Sequence, residues 1–399
     1  MNKYAIRHLI LIFGFLGFLG SLFALLWLIP DRGFSEDENR PLQGLPVFSI
    51  ERLWDGGYTG RWGDYVSDQI PGRSVWVGIH GLCEQIRTAG ESNGVLAAAT
   101  EGGTQLSVRR FDAVTEGGES AEDTDLISSA HVSRQLEAVN RLSDFLSQKG
   151  ISLCLCLPPR TVDVTASAFE GYPAGATEQL TQAIQNGLSP DVTYVPLCAP
   201  MQALYGNGVP VYYRTDHHWT TRGAYEAYLR LLPALGLEGA PLAPSDFEVR
   251  SVPDFFGTTG SRSGLFGISP DTLEIWRRSD DSRYAVCDGD GTLLFRGFID
   301  ESYLSKKDKY GAFLGGNRRL VTVTDTESSA PRPRLLVVKD SFANSLVPFL
   351  ARHADLVVVN LSAGVTNVTE IATAYGCHGV LVVWNAENLV TSDALSKMN

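Results

Sequence analysis

The chain predicts an α/β fold built on a doubly wound, mostly parallel sheet. Five short apolar runs carry that prediction: ISLCLCLP (151–158), VTYVPL (192–197), RLLVVKD (334–340), DLVVVN (355–360) and GVLVVWN (379–385). They are continuous rather than alternating, as strands buried on both faces must be. Helix-like stretches separate them, and strand–helix alternation reads as parallel pairing with helices on both faces. The 399 residues allow one large domain or two ordinary ones, enough to enclose a core.

Each element follows in order. Residues 9–29 (LILIFGFLGFLGSLFALLWLI) hold no charge. As a helix they would span roughly 31 Å, the thickness of a bilayer core. Lys3 and Arg7 precede the run and acidic residues follow it. Positive-inside logic therefore puts the N-terminus in the cytoplasm and the rest outside. The competing reading is a cleaved signal peptide, with a shorter apolar region and a small-x-small cleavage site. The run is longer than that, and FALLWLIP offers no such site. Residues 1–30 are thus read as a cytoplasmic tip and membrane anchor.

Residues 31–126 form an extension and linker. Its first part carries Trp54, Tyr58, Trp62, Tyr65 and Trp76 and reads as short helices. Its second part is rich in Gly, Ser, Thr and acid and reads as a hairpin followed by an exposed loop. From residue 127 the α/β pattern begins. Residues 130–149 form an amphipathic helix with Leu136, Val139, Leu142 and Phe145 on one face, ended by Gly150. Further helices are expected at 176–187, 220–235, 342–353 and 366–376. Residues 245–330 lose the alternation and read as an insertion of short strands and loops.

Composition narrows the function. The formal charge of −12 argues against nonspecific nucleic-acid binding, which needs a basic face. The six cysteines contain no CxxC, so a zinc ribbon or thioredoxin-type site has no support. They read as buried free thiols; Cys154 and Cys156, two apart in one strand, share a face.

Functional groups in such sheets gather at the carboxyl ends of the strands. Two segments there bear chemistry: TDHHWTTRG, with Asp216, His217, His218 and Trp219, and VVKDSFANS, with Asp340, Ser341 and Asn344. Ser341 follows an apolar strand and opens a helix, whose free N–H groups could stabilise an oxyanion. The same position suits a simple helix cap. A serine nucleophile needs an imidazole base, and the base needs a carboxylate to set its tautomer. Asp216 and His218 can supply both from one loop; a polar loop of packing histidines is the plain alternative. His217 and His218 make a poor metal-chelating pair, because neighbours in an extended segment point apart. Neither a metal nor a cofactor is called for. His217, Trp219 and Asn344 are candidate substrate contacts. Trp219 could stack on a sugar as an exposed aromatic, while Trp54 and Trp62 are read as packing residues.

At these residues the sequence resembles the DHHW protein family. The resemblance rests on Asp-His-His-Trp, on SEDENRPL near the N-terminus, on DKYGAFLGGN (308–317) and on KDSFANS. That family is SGNH-hydrolase-like and similar to the periplasmic alginate O-acetyltransferases. The resemblance implies an SGNH-like domain over 127–399 with circularly permuted motif order, since Asp216 and His218 precede Ser341. It implies Ser341 as nucleophile, His218 as base and Asp216 as orienter. The serine N–H, Gly364 and Asn385 would form the oxyanion hole, with Asn388 competing with Asn385. Lys339 departs from the family pattern by replacing the Gly of Gly-Asp-Ser. The implied activity is O-acetylation of a secreted or cell-surface polysaccharide through a serine acyl-enzyme. A membrane-bound O-acyltransferase would supply the acetyl group. A carbohydrate acetylesterase using the same triad, or a polysaccharide-binding or assembly protein with a degenerate site, are the alternatives.

Overall fold

The computed structural model describes residues 3–35, 40–54, 56–88, 91–108, 113–115, 126–169 and 177–398. Residues 36–39 of the SEDENRPL stretch and the acidic loop at 116–125 lie outside them. The chain divides into two compact units: residues 1–93 with 261–267, and residues 94–260 with 268–399.

In the first unit the apolar run is a helix, Lys3–Leu28. Residues Ile6–Leu28 have a mean hydropathy of 2.6 and are long and apolar enough to cross a membrane. The short helices expected after it are present at Ile50–Trp54, Gly57–Gln69 and Arg73–Thr88. Trp62 packs between Trp27 and Tyr65, with ring centroids 6.3 and 5.4 Å away. Trp54 does not pack: it is 85% exposed, which corrects its reading as a packing residue.

The second unit is built on an eight-stranded sheet. Its strands, in chain order, are β1 (Ser152–Cys156), β2 (Val192–Val195), β3 (Tyr284–Asp288), β4 (Leu293–Arg296), β5 (Leu320–Asp325), β6 (Arg334–Lys339), β7 (Asp355–Asn360) and β8 (Gly379–Val383). Their spatial order is β4-β3-β5-β7-β6-β8-β1-β2. The five strands read from the apolar runs are adjacent and parallel. The three from 245–330 add an antiparallel edge, β5 on β7, β3 on β5 and β4 on β3. That stretch is therefore not wholly set apart from the sheet.

The parallel strands alternate their side chains between two cores. Leu335, Val337, Leu356, Val358, Leu381 and Val383 face one side, under α3 (Thr221–Ala234) and α4 (Ala343–Leu350). Leu336, Val338, Val357, Val359, Val380 and Val382 face the other. There they meet α1 (Ser129–Ser147), α2 (Thr177–Gly187) and α5 (Val368–Ala374). Two cores explain why the runs are apolar without alternation. The α1 stripe runs through Val132, Leu136, Val139, Leu142 and Leu146, and Phe145 is 49% exposed, one position off the expected face. Among the described residues of this unit, helices at Thr161–Val164, Cys198–Gly206 and Ala386–Thr391 were not anticipated, nor was Thr258–Ser263 within 245–330. All six cysteines are free. Cys83 is exposed and Cys198 and Cys287 are half-buried, so burial holds only for Cys154, Cys156 and Cys377.

A separate antiparallel hairpin, Glu248–Phe255 with Asp271–Arg277, completes the frame of the site. A register shift between Val252 and Phe255 marks a bulge just before Gly257 and Thr258.

Candidate active site

β6 is central, with β7 on one side and β8 on the other, and Lys339 pairs with both Asn360 and Val383. Past that point the chain from β6 enters α4 on one face. The chain from β8 enters the helix Ala386–Thr391, which packs on the opposite face. The divergence opens a crevice at the strand ends, where ligands bind in such sheets.

Lys339-Asp340-Ser341 forms the turn into α4. Asp340 is 3% exposed. Its Oδ1 accepts from Phe342 N at 3.0 Å, and its Oδ2 from Asn385 N at 2.6 Å and Asn388 Nδ2 at 2.8 Å. Burial pushes this carboxyl above its ordinary range, and those three donors oppose the push. Asp340 thus ties the turn to the chain leaving β8, and Ser341 is left facing the crevice.

Ser341 Oγ lies 2.6 Å from His218 Nε2, and His218 Nδ1 lies 2.5 Å from Asp216 Oδ1. A carboxylate only accepts, so Nδ1 carries the proton and Nε2 presents its lone pair to the serine. Asp216 also receives His218 N on Oδ1 at 3.0 Å, and Thr258 N and Oγ1 on Oδ2 at 2.9 and 3.1 Å. Burial pushes the Asp216 carboxyl up, but the two histidines and these donors outweigh it, and the group stays well below the usual carboxylate range.

The loop carrying this pair is anchored from both ends. Asp271 accepts from Arg214 N at 3.2 Å, Thr215 N at 2.8 Å and Thr215 Oγ1 at 2.6 Å. Trp219 at the other end is fully buried; its Nε1 donates to Phe342 O at 3.0 Å and Ser345 Oγ at 2.9 Å. The expectation of an exposed, sugar-stacking Trp219 is corrected: the indole bolts the histidine loop to the nucleophile helix. Thr220 then caps α3 by accepting from Gly223 N.

His217 and His218 do not point apart as expected. Their rings lie 3.9 Å apart at 36°. Asp216, His217 and His218 place donor atoms within 4.8 Å of one another. Those atoms are committed elsewhere. Thr258 Oγ1 gives its proton to Asp216, so His217 Nδ1, at 2.8 Å, donates to it. That leaves His217 Nε2 as an acceptor on a side chain 43% exposed. Partial burial and the neighbouring His218 hold the His217 imidazole below its ordinary pKa.

The remaining expected residues are placed differently. Asn344 is 1% exposed, with Nδ2 donating to Asn317 Oδ1 at 3.2 Å, so it does not face a substrate directly. Asn385 is not turned towards Ser341. Its Nδ2 donates to Pro158 O at 3.1 Å and its Oδ1 accepts from Glu387 N at 2.8 Å as a helix cap. Asn388 donates its amide to Asp340. Gly364, at φ 73°, ends the turn Leu361–Ala363, and its N–H donates to Leu361 O at 3.0 Å.

Three residues of the site were not singled out from the sequence. Thr258 supports Asp216. Gly257 lies against it, where a Cβ would come within 2.7 Å of the Asp216 Cα. Tyr310 stacks on the His218 ring at 3.9 Å and 13°. Burial pushes its phenol up, and its Oη lies 2.9 Å from Ser345 Oγ. Tyr310 belongs to DKYGAFLGGN, a stretch noted without a role.

Solved structures with TM-scores above 0.5 share this fold. One is a DHHW family protein from Eubacterium siraeum, with TM-score 0.61 and 19% identity over 77% of this chain and 95% of that one. Another is PatB1 of Bacillus cereus, with TM-score 0.62 and 18% identity over 76% and 100%. The O-acetyltransferase domain of Pseudomonas putida AlgJ aligns with TM-score 0.45 and 17% identity over 75% and 93%. No curated protein matches in sequence. The sequence profile of the DHHW protein family matches residues 96–360, two thirds of the chain and the span that contains His218 and Ser341, and the chain therefore belongs to that family.

Proposed function

We propose that this protein is a serine-dependent O-acetyltransferase that modifies a secreted or cell-surface polysaccharide. The observation that carries the reading is the unbroken chain Ser341 Oγ, His218 Nε2, His218 Nδ1, Asp216 Oδ1, with links of 2.6 and 2.5 Å. Ser341 Oγ attacks the acetyl carbonyl and passes its proton to His218 Nε2. The tetrahedral intermediate collapses, and the leaving oxygen takes that proton. A sugar hydroxyl then gives its proton to the same Nε2 and attacks the acetyl-serine, which restores Ser341. Acetate as the product, with water as acceptor, would make it an esterase.

The frame of this reading is an SGNH-like catalytic domain over 127–399. Counted from β6, the parallel strands run 2-1-3-4-5, the order of a doubly wound sheet entered at a different point. A circular permutation accounts for the histidine loop preceding the serine. The apolar helix would anchor the chain with its N-terminus inside and the catalytic unit outside. Acetyl groups would then arrive across the membrane from an integral O-acyltransferase partner.

The test is acetyl release from 4-nitrophenyl acetate by the full chain in detergent. Ser341→Ala, His218→Ala and Asp216→Asn should each lower the rate by about 10⁴-fold. Oligosaccharide acceptors then separate transfer from hydrolysis by whether the acetyl group appears on sugar. Release that survives Ser341→Ala would sink the reading.

A further inference from the structure

The oxyanion hole implied by the family resemblance is incomplete here, because Asn385 spends its amide on Pro158 O and Gly364 spends its N–H on Leu361 O. A second polar cluster gathers at the carboxyl end of β6. Lys339 is 2% exposed and Asn344 1%. Lys339 Nζ donates to Asn317 Oδ1 at 3.0 Å, and Asn344 Nδ2 donates to the same oxygen at 3.2 Å. Asn360, paired with Lys339 across the sheet, donates to Asn317 O at 3.4 Å. Asn317 itself is exposed.

These bonds fix which way the Asn317 amide faces. An ammonium has no acceptor, so only the oxygen can turn towards Lys339. The NH₂ must point away, and among the described residues it has no protein acceptor. The place it occupies follows from spacing. Lys339 and Ser341, two apart at a strand end, lie on the same side. Asn344 is one turn along from Ser341, its N–H donating to Ser341 O at 3.1 Å. An oxygen held jointly by Lys339 and Asn344 is therefore held on the side of the turn that carries the nucleophile. The Ser341 N–H likewise has no protein acceptor among the described residues. Loop geometry brings Asn317 there: Leu314, Gly315 and Gly316 all have positive φ, at 59°, 68° and 84°. The same loop starts with the Tyr310 that stacks on His218, so one loop reaches both the base and the Lys339–Asn344 pair.

We infer that the Asn317 side-chain amide, with the Ser341 N–H, binds the oxyanion formed on the acyl carbonyl, taking the role that Asn385 would otherwise fill. Lys339 is a positioning residue: it orients the amide and, by polarising its oxygen, strengthens the N–H donors. The inference rests on the serine acyl-transfer reading. Atoms balance without a further reactant, since the carbonyl oxygen gains charge as Oγ bonds to carbon and loses it when the leaving group departs.

The test is the rate of acetyl-enzyme formation by the full chain in detergent, with 4-nitrophenyl acetate. Asn317→Ala should slow it by about 10²- to 10³-fold, with KM and the pH profile unchanged. Asn317→Asp keeps the oxygen that Lys339 holds and lacks the donors, so it should slow acetylation as much while remaining folded. Asn385→Ala should stay within about threefold of wild type. Asn317 variants within threefold, or a hundredfold loss in Asn385→Ala, would overturn the inference while leaving the triad standing. Wild type that behaves like Ser341→Ala would overturn the triad and this inference with it.

Discussion

The histidine loop and the turns that leave β7 and β8 look alike in sequence but do different work. Both lie near the carboxyl edge of the parallel sheet, the histidine loop through its contact with Ser341 at the end of β6, and both are rich in polar side chains. In the loop at 215–219, polar groups are spent on one another and on the nucleophile: Thr215 on Asp271, Asp216 on Thr258 and His218, and Trp219 on the α4 backbone. Past β8, polar groups are spent on the local chain: Asn385 on Pro158 and Glu387, Asn388 on Asp340. The lesson is that a polar residue near a reactive serine serves chemistry only if its neighbours leave a donor or acceptor unspent. His218 keeps Nε2 for Ser341, and Asn385 keeps nothing.

Substitutions can break or sharpen that contrast. Outside the triad and Asn317, the largest effect should come from Gly257→Ala. The added methyl overlaps Asp216, and the carboxylate must move off His218. A displacement of about 1 Å in a catalytic group costs roughly 10²-fold, so acetyl-enzyme formation should fall by about that factor. A fully active alanine variant would show that the loop tolerates what the packing forbids.

Lys339→Met tests the crevice from the other side. Burial brings the Lys339 ammonium down to about 8, with Asp340 opposing, against about 10.4 for a free lysine. Between those values the unfolded chain binds more protons than the folded one, so stability rises with pH there. Below about pH 8 the buried charge costs the fold about 3 kcal/mol. Lys339→Met should therefore raise the melting temperature at pH 7, remove the gain in wild-type stability between pH 8 and 10, and slow acetylation several-fold. A variant that melts lower at pH 7 would mean that the ammonium supports the fold rather than the reaction.

The smallest effect belongs to Asn385→Ala. It removes a helix cap and one of two donors to Pro158 O, which keeps Ala386 N at 2.9 Å, a loss of about 1 kcal/mol by denaturant titration. Acetylation should follow stability only, in contrast to Asn317→Ala.

Much of the architecture was legible in the chain. The five apolar runs became the five parallel strands, because a strand covered on both faces tolerates no polar alternation. The apolar N-terminal run became a single helix, because 21 uncharged residues leave its backbone no other satisfied form in an apolar setting. Asp216 and His218 were legible because two residues of spacing bring a carboxylate to its own imidazole through local chain geometry. Ser341 was legible because a strand ends and a helix begins there.

What sequence could not supply were contacts made across distance. Thr258 and Gly257 reach Asp216 from about forty residues away, by way of a bulged hairpin. Trp219 reads as an exposed aromatic until α4 closes over it. Asn385 reads as an oxyanion donor until Pro158 claims its amide. Asn317 reads as a loop residue until the buried ammonium of Lys339 dictates the direction of its side chain. Local sequence determined which groups could react. Packing decided which of their donors and acceptors stayed free, because that depends on which distant partner arrives first in space.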